Sequence, residues 1–159
     1  SKNLLSTIVN ALVISHVRYC LAVFGNGSQK NMQRLQKIQN FALRVISGRR
    51  KFDHISDVRD ELGWSTVPRL YKQHCLSFLH KIICTGEPQA LASHLQANSS
   101  LRSRNTRQDA DLALPRMRTE AGRRRFLYHV AQTYNTLPSE IRDLGIEAFK
   151  RAVAKIPDI

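Results

Sequence analysis

Apolar residues recur at helical spacing along most of the chain, and the clearest example lies between residues 29 and 47. Ser28 suits an N-cap and Gly48 suits a helix stop, so the pattern predicts a helix from Gln29 to Ser47. The stripe expected to face the core contains Met32, Leu35, Ile38, Ala42, Val45 and Ile46.

The same reading predicts further helices on both sides of this one. Residues 3–14 are apolar on more than one face, which is typical of a helix buried on several sides. A short helix is expected to end at Leu62, before Gly63, and a longer one to run from Pro68 to about Thr85. Helices are also expected at 88–95, 129–135 and 146–156, the last with Phe149 and Val153 turned inward.

Two short segments alternate enough to predict strands. Residues 111–115 and 124–128 are expected to pair as a β-hairpin around residues 116–122. Residues 98–111 are polar and rich in Ser, Arg and Asn, which is typical of a linker or mobile arm. We therefore predict a mainly α protein, with a helical bundle at 1–96, a basic arm at 97–128 and a helical tail at 129–159.

Positive charge is concentrated in two parts of the sequence. The chain of 159 residues has a net charge of +13. Residues 30–51 carry seven basic side chains and no acidic one, and residues 97–128 carry eight arginines against three acidic residues. Such blocks indicate a polyanionic partner. Neither block shows the Trp- and Leu-rich apolar face of a helix that lies on a membrane, and no segment is long enough to cross one.

The first basic block forms a second stripe on the predicted helix 29–47. A solvated face normally mixes charges of both signs, whereas this one is entirely positive, which favours contact with phosphates. Phe41 falls on the basic stripe, where it either stacks on a base or packs against another segment. The candidate binding residues of this block are Lys30, Arg34, Lys37, Phe41, Arg44, Arg49, Arg50 and Lys51.

The second basic block uses arginine and no lysine. A guanidinium group grips phosphate with two hydrogen bonds and also stacks on bases, which an ammonium group does less well. The candidate binding residues of this block are Arg102, Arg104, Arg107, Arg116, Arg118, Arg123, Arg124 and Arg125.

No catalytic or metal-binding pattern stands out. Asp109 and Asp111 are better explained as counter-charge in an arginine-rich segment than as a metal pair. The histidines and the three cysteines lack the spacing of zinc ligands. Sparse cysteines without a disulfide framework favour an intracellular setting. We expect no catalytic residue, no metal ligand and no cofactor in this stretch of chain.

Several short motifs resemble one family in their order and spacing. They include Arg34–Gly48 (RLQKIQNFALRVISG), Glu61–Trp64 (ELGW), Gly122–Phe126 (GRRRF) and the Asn135–Pro138 turn (NTLP). Together they resemble the region after the polymerase core in LINE-type, non-LTR retrotransposon reverse transcriptases of the Jockey-like sort. The chain departs from that pattern at Tyr134, where the family often has Trp, and at Val130, where it usually has Gly.

The resemblance implies a thumb and C-terminal tail that hold template and primer. The polymerase aspartates of the family are not in this chain, so it would not be an enzyme by itself. Its parent would be an RNA-directed DNA polymerase using Mg²⁺, with RNA or DNA and the upstream polymerase core as partners, in the nucleus when the element is active. The alternative is a helical interaction module whose basic surface docks an acidic protein.

Overall fold

The computed structural model describes residues 2–101 and 111–156 and confirms a mainly α fold. The described chain divides into two compact units, one ending at Tyr71 and the other beginning at Lys72. The predicted basic arm, 97–128, belongs to the second unit, and its predicted separation from the bundle and the tail stays a prediction.

The first unit is built from helices around one long element. They are α1 (Lys2–Val9), a π-helical turn (Asn10–Ile14), α2 (Ser15–Arg18), α3 (Leu21–Phe24), α4 (Gln29–Ser47), α5 (Ser56–Glu61) and the start of α6 (Val67–Thr85). On one side of α4, Ala42 and Ile46 pack with Val9 and Ile14. On another, Leu43 packs with Ile55 and Val58. Leu62 and Trp64 are partly buried and pack against both groups.

Helix α4 begins and ends as predicted. The Ser28 hydroxyl accepts a hydrogen bond from the backbone N–H of Asn31, and Gly48 closes the helix with φ +69°. The predicted core stripe is partly wrong, because Ile38 and Val45 are 45% and 44% exposed. The buried positions include Gln39 and Leu43, so the inward face is rotated toward them.

The first helix is also less buried than its sequence suggested. Leu4, Ile8 and Leu12 are 63%, 44% and 65% exposed, whereas Val9 and Ile14 are buried. Apolar residues cover more of this segment than the neighbouring helices enclose, so the prediction of burial on several sides is wrong.

The second unit continues α6 and adds short helices. They are α7 (Gln89–Ala92), α8 (Asn98–Leu101), α9 (Glu120–Arg123), α10 (Phe126–Asn135), α11 (Ser139–Arg142) and α12 (Ile146–Lys155). Phe149 and Val153 are fully buried, as predicted for the last helix. The predicted ends of α6 are confirmed, with Gly86 at φ +70° directly after it.

A buried histidine lies in the core of the second unit. The His80 ring is stacked on Phe149, with 3.8 Å between ring centroids and 7° between planes. Its Nε2 lies 2.8 Å from the Leu144 carbonyl oxygen and its Nδ1 lies 3.0 Å from the Tyr134 hydroxyl. Because a carbonyl only accepts, Nε2 carries the proton and the Tyr134 hydroxyl donates to Nδ1.

The predicted β-hairpin is wrong. Residues 126–128 begin α10, because Phe126, Val130 and Tyr134 recur at helical spacing, with Val130 and Tyr134 buried and Phe126 partly buried. Leu112 does not pair with residues 124–128 and forms an isolated antiparallel bridge with Ala97 instead. The Asn135 side chain completes this arrangement by donating to the Leu112 carbonyl and accepting from its N–H, both at 2.9 Å.

Candidate nucleic-acid interface

Lys30, Arg34 and Lys37 form an exposed row along α4. Their spacing places them on one side of the helix, and they span about 10 Å along its axis. Three successive nucleotide steps in one strand of a duplex span roughly the same axial distance. None of the three side chains has a carboxylate within 4.0 Å among the residues that the structure describes. The described part of the protein therefore does not neutralise these three charges by ion pairing, and they can bind an anion.

Two glutamines on the inner side of α4 fix its rotation. Gln39 is 1% exposed, and its amide donates to the Ser65 carbonyl at 2.8 Å. The Gln36 side-chain oxygen accepts from the backbone N–H of Val67 at 2.8 Å, and its amide donates to Gln39. These bonds tie α4 to the start of α6, so the basic row is held on the solvent side. The sequence analysis did not identify these two glutamines as residues that orient the helix. The one signal available in the sequence was a glutamine next to the apolar stripe.

The C-terminal half of α4 forms one wall of a basic-aromatic groove. This groove has a volume of about 480 Å³ and is lined by Phe41, Arg44, Val45, Gly48, Arg49 and Lys51. Phe41 is 68% exposed, so of the two alternatives predicted for it, packing against another segment is not seen among the described residues. Arg44 reaches toward the following turn, with Nη2 3.3 Å from the Asp53 carbonyl oxygen. The groove thus combines an exposed ring with three positive side chains.

A second exposed ring lies just beyond the groove. Phe52 is 89% exposed, and the Lys51 ammonium group lies 5.5 Å from the centre of its ring. This distance is within the range of a cation–π contact. Phe52 was not among the predicted site residues, although its position directly after the basic run Arg49–Lys51 was a usable signal.

Arg49 differs from the other predicted residues of α4 and the turn after it. It donates to both carboxylate oxygens of Asp57 on α5, with 2.6 Å between Nη1 and Oδ1, and also to the His54 carbonyl. The hydrogen bond to Asp57 raises the pKa of Arg49, and the same bond lowers the pKa of Asp57. Arg50 remains exposed, while its backbone N–H donates to the Asp53 carboxylate at 2.8 Å.

The second unit displays the remaining described arginines. Arg116, Arg118, Arg123, Arg124 and Arg125 are all exposed. Arg123 ends the short helix α9 and the other four flank it; the Thr119 hydroxyl caps this helix by accepting from the Gly122 N–H at 3.1 Å. Arg124 also faces Glu120 at 3.7 Å. The predicted residues Arg102, Arg104 and Arg107 lie outside the described residues.

An apolar cavity lies beside this group of arginines. It has a volume of about 480 Å³, and Arg125 is the one charged residue of its lining within the described chain. Its remaining wall comes mainly from apolar side chains of the second unit, including Leu91, Leu95, Leu114, Met117, Phe126 and Tyr128.

Neither a metal-binding cluster nor a membrane-spanning helix is found among the described residues. Across residues 2–101 and 111–156, no three His, Cys, Asp or Glu side chains are grouped so that they could hold a metal ion. No described helix is long and apolar enough to cross a membrane.

Comparison with known proteins gives no family. The chain matches no protein-family model, and no curated protein or solved structure is significantly similar to it.

Proposed function

We propose that this chain is a non-catalytic, nucleic-acid-binding part of a retrotransposon RNA-directed DNA polymerase, which holds template and primer by phosphate contacts. The observation that carries the nucleic-acid part is the exposed row Lys30, Arg34 and Lys37, without a described carboxylate partner. The polymerase part rests on the family resemblance of motifs such as Arg34–Gly48.

Placing three positive charges in a row on α4 destabilises the helix. Like charges one turn apart on a helix repel and destabilise it by a few tenths of a kcal/mol per pair. A folded domain can offset that cost by alternating lysine with glutamate, but this helix has no acidic residue at all. A bound phosphate backbone removes the repulsion and releases condensed counterions, which drives association.

The parent polymerase supplies the remaining elements of the proposal. Its upstream core would carry the aspartates and the Mg²⁺ for phosphoryl transfer, and this chain would hold the nucleic acid beside it. Reverse transcription at a chromosomal target would place the active element in the nucleus.

A second candidate is a module that docks an acidic protein. The feature that favours it is the exposed apolar surface on α4, where Ile38, Phe41 and Val45 are 45%, 68% and 44% exposed. Spaced at three and four residues, these side chains also suit a groove on a partner protein.

Salt titration separates the two candidates. Fluorescence anisotropy would measure binding of the 159-residue chain to a labelled RNA–DNA hybrid, a DNA duplex and single strands between 50 and 200 mM salt. If about five phosphates are contacted, affinity for duplex DNA should fall roughly 500-fold over this range. Weak binding without this slope would contradict the proposal and favour the protein-docking module.

A further inference from the structure

We propose that the basic-aromatic groove binds single-stranded nucleic acid, with an unpaired base stacked on Phe41 and its phosphates held by the flanking basic side chains. This inference rests on the proposed nucleic-acid function and specifies the form of ligand that the groove takes.

The Phe41 ring lies outside the core of the first unit. It is 68% exposed, whereas its neighbours Ala42 and Leu43 are 4% and 0% exposed and form the core. The ring therefore contributes little to the packing of the first unit. An exposed aromatic ring on a basic surface is typical of proteins that stack the bases of single strands.

Basic residues precede and follow Phe41 along α4. Lys37 precedes Phe41 by four residues and Arg44 follows it by three, so the three side chains lie in one row on the helix. A positive group thus lies on either side of the ring along the helix axis. This order matches a nucleotide strand, in which a phosphate precedes and follows every base.

The lining of the groove is rich in basic side chains. Three of its six lining residues, Arg44, Arg49 and Lys51, are basic, and its described lining contains no acidic residue. Arg49 is already paired with Asp57, so Arg44 and Lys51 are the groups available to phosphate. Next to Lys51, the exposed ring of Phe52 provides a stacking surface for a second base.

A duplex does not use this surface equally well. Its bases are stacked on one another and present only their edges in the grooves, so no base face is open to Phe41. The same basic side chains still contact duplex phosphates. The groove should therefore bind both forms through charge and discriminate between them through the ring.

The test compares substitutions of Phe41 on single strands and duplexes. Anisotropy would be measured with labelled dT12, rU12 and a 12-base-pair duplex, using the whole chain and its F41A, F41L and F41W variants. We expect F41A and F41L to bind both single strands roughly 5- to 100-fold more weakly, because a stacking contact is lost. We expect F41W to retain binding, and the duplex affinity of all variants to change less than twofold.

The control is Y19A, which removes another exposed ring of the first unit. Tyr19 is 73% exposed and does not line the groove, so Y19A should bind single strands like the wild type. Thermal melting monitored by circular dichroism should be unchanged in F41A, since the ring is largely outside the core.

Two results would overturn the inference. If the chain binds nucleic acid with a steep salt dependence but F41A binds single strands as well as the wild type, the groove is not a base-stacking site, although the proposed function stands. If a labelled glutamate-rich peptide binds the chain and no oligonucleotide does, both the inference and the proposed function fail.

Discussion

Arg49 holds the carboxylate of Asp57 with both of its terminal nitrogens, and the Nη1–Oδ1 distance is 2.6 Å. This pair joins the turn after α4 to the first turn of α5, and it occupies one of the seven positive charges between residues 30 and 51. Arg49 therefore lines the groove, but its charge is paired with a carboxylate of the protein itself.

Removing the carboxylate should make Arg49 available to nucleic acid. We expect D57N to bind oligonucleotides about two- to tenfold more tightly at low salt, the order expected for one additional phosphate contact. Anisotropy at 50 mM salt would measure the change.

The matched control is D60N, which makes the same charge change on the same helix. Asp60 is exposed and lies 3.6 Å from Arg59, so its loss releases no groove residue. If D57N and D60N increased the affinity for oligonucleotides equally, the change in net charge alone would explain the increase. That result would contradict a specific release of Arg49.

The hydrogen bond between Tyr134 and His80 should stabilise the second unit. In Y134F, the buried His80 Nδ1 loses its donor and is left unsatisfied, which costs about 1–3 kcal/mol. Chemical denaturation would measure the free energy of unfolding. The comparison is Y128F, because Tyr128 is only half-buried. An equal loss in both variants would contradict a specific role for the Tyr134 hydroxyl.

The same histidine predicts how stability depends on pH. Burial lowers the pKa of His80, partly opposed by its hydrogen bond to Leu144, and burial and Lys72 lower the pKa of His129. Above the usual histidine value of about 6.5, both rings are neutral in the folded and unfolded chains. Below it, the unfolded chain takes up protons first, so the free energy of unfolding should fall as the pH decreases from about 7 to 5.

Denaturation at pH 7.5, 6.5 and 5.5 would follow this loss. The fall should be shallower in H80N, which cannot take up the proton at this position. Stability that is constant or increases on acidification would contradict the account of His80. Burial also raises the pKa of Tyr134 to about 12, so its hydroxyl keeps its proton throughout this range.

The arginines at the end of α9 should bind without reading sequence. Replacing Arg123, Arg124 and Arg125 together with Ala should weaken binding to AT-rich and GC-rich oligonucleotides by the same factor, about tenfold or more at low salt. Anisotropy with both sequences would provide the comparison. A change in preference between sequences without a loss of overall affinity would contradict a phosphate contact.

Local sequence signals predicted the helix boundaries well. Ser28 acts through its own hydroxyl, and Gly48 and Gly86 act through their positive φ, so neighbouring residues were enough to place them. The inward face of α4 was less predictable. Gln39 is buried because the Ser65 carbonyl, 26 residues away, accepts its hydrogen bond, and no local pattern contains that information.

The hairpin failed for a related reason. A five-residue alternation such as 124–128 fits a strand as well as the first turn of a helix. Residues farther along the chain favour the helix over the strand, because Val130 and Tyr134 continue the helical face of Phe126. The segment at Leu112 then paired with Ala97 and with the Asn135 side chain.

The candidate site was predictable in its composition and only partly in its geometry. The sequence placed Phe41 on the basic stripe, and the structure exposes it there. It did not indicate that Asp57 would pair with Arg49, because that contact depends on where α5 packs.

The central claim is that the row on α4 contacts phosphates, and its most direct test is the salt dependence of a triple variant. Replacing Lys30, Arg34 and Lys37 with Gln should reduce the slope of log affinity against log salt by about 3 on duplex DNA and about 2 on single strands. The control replaces three exposed lysines of the second unit, Lys81, Lys150 and Lys155, and should leave the slope nearly unchanged. A slope that is the same in the wild type and the α4 triple variant would contradict the claim.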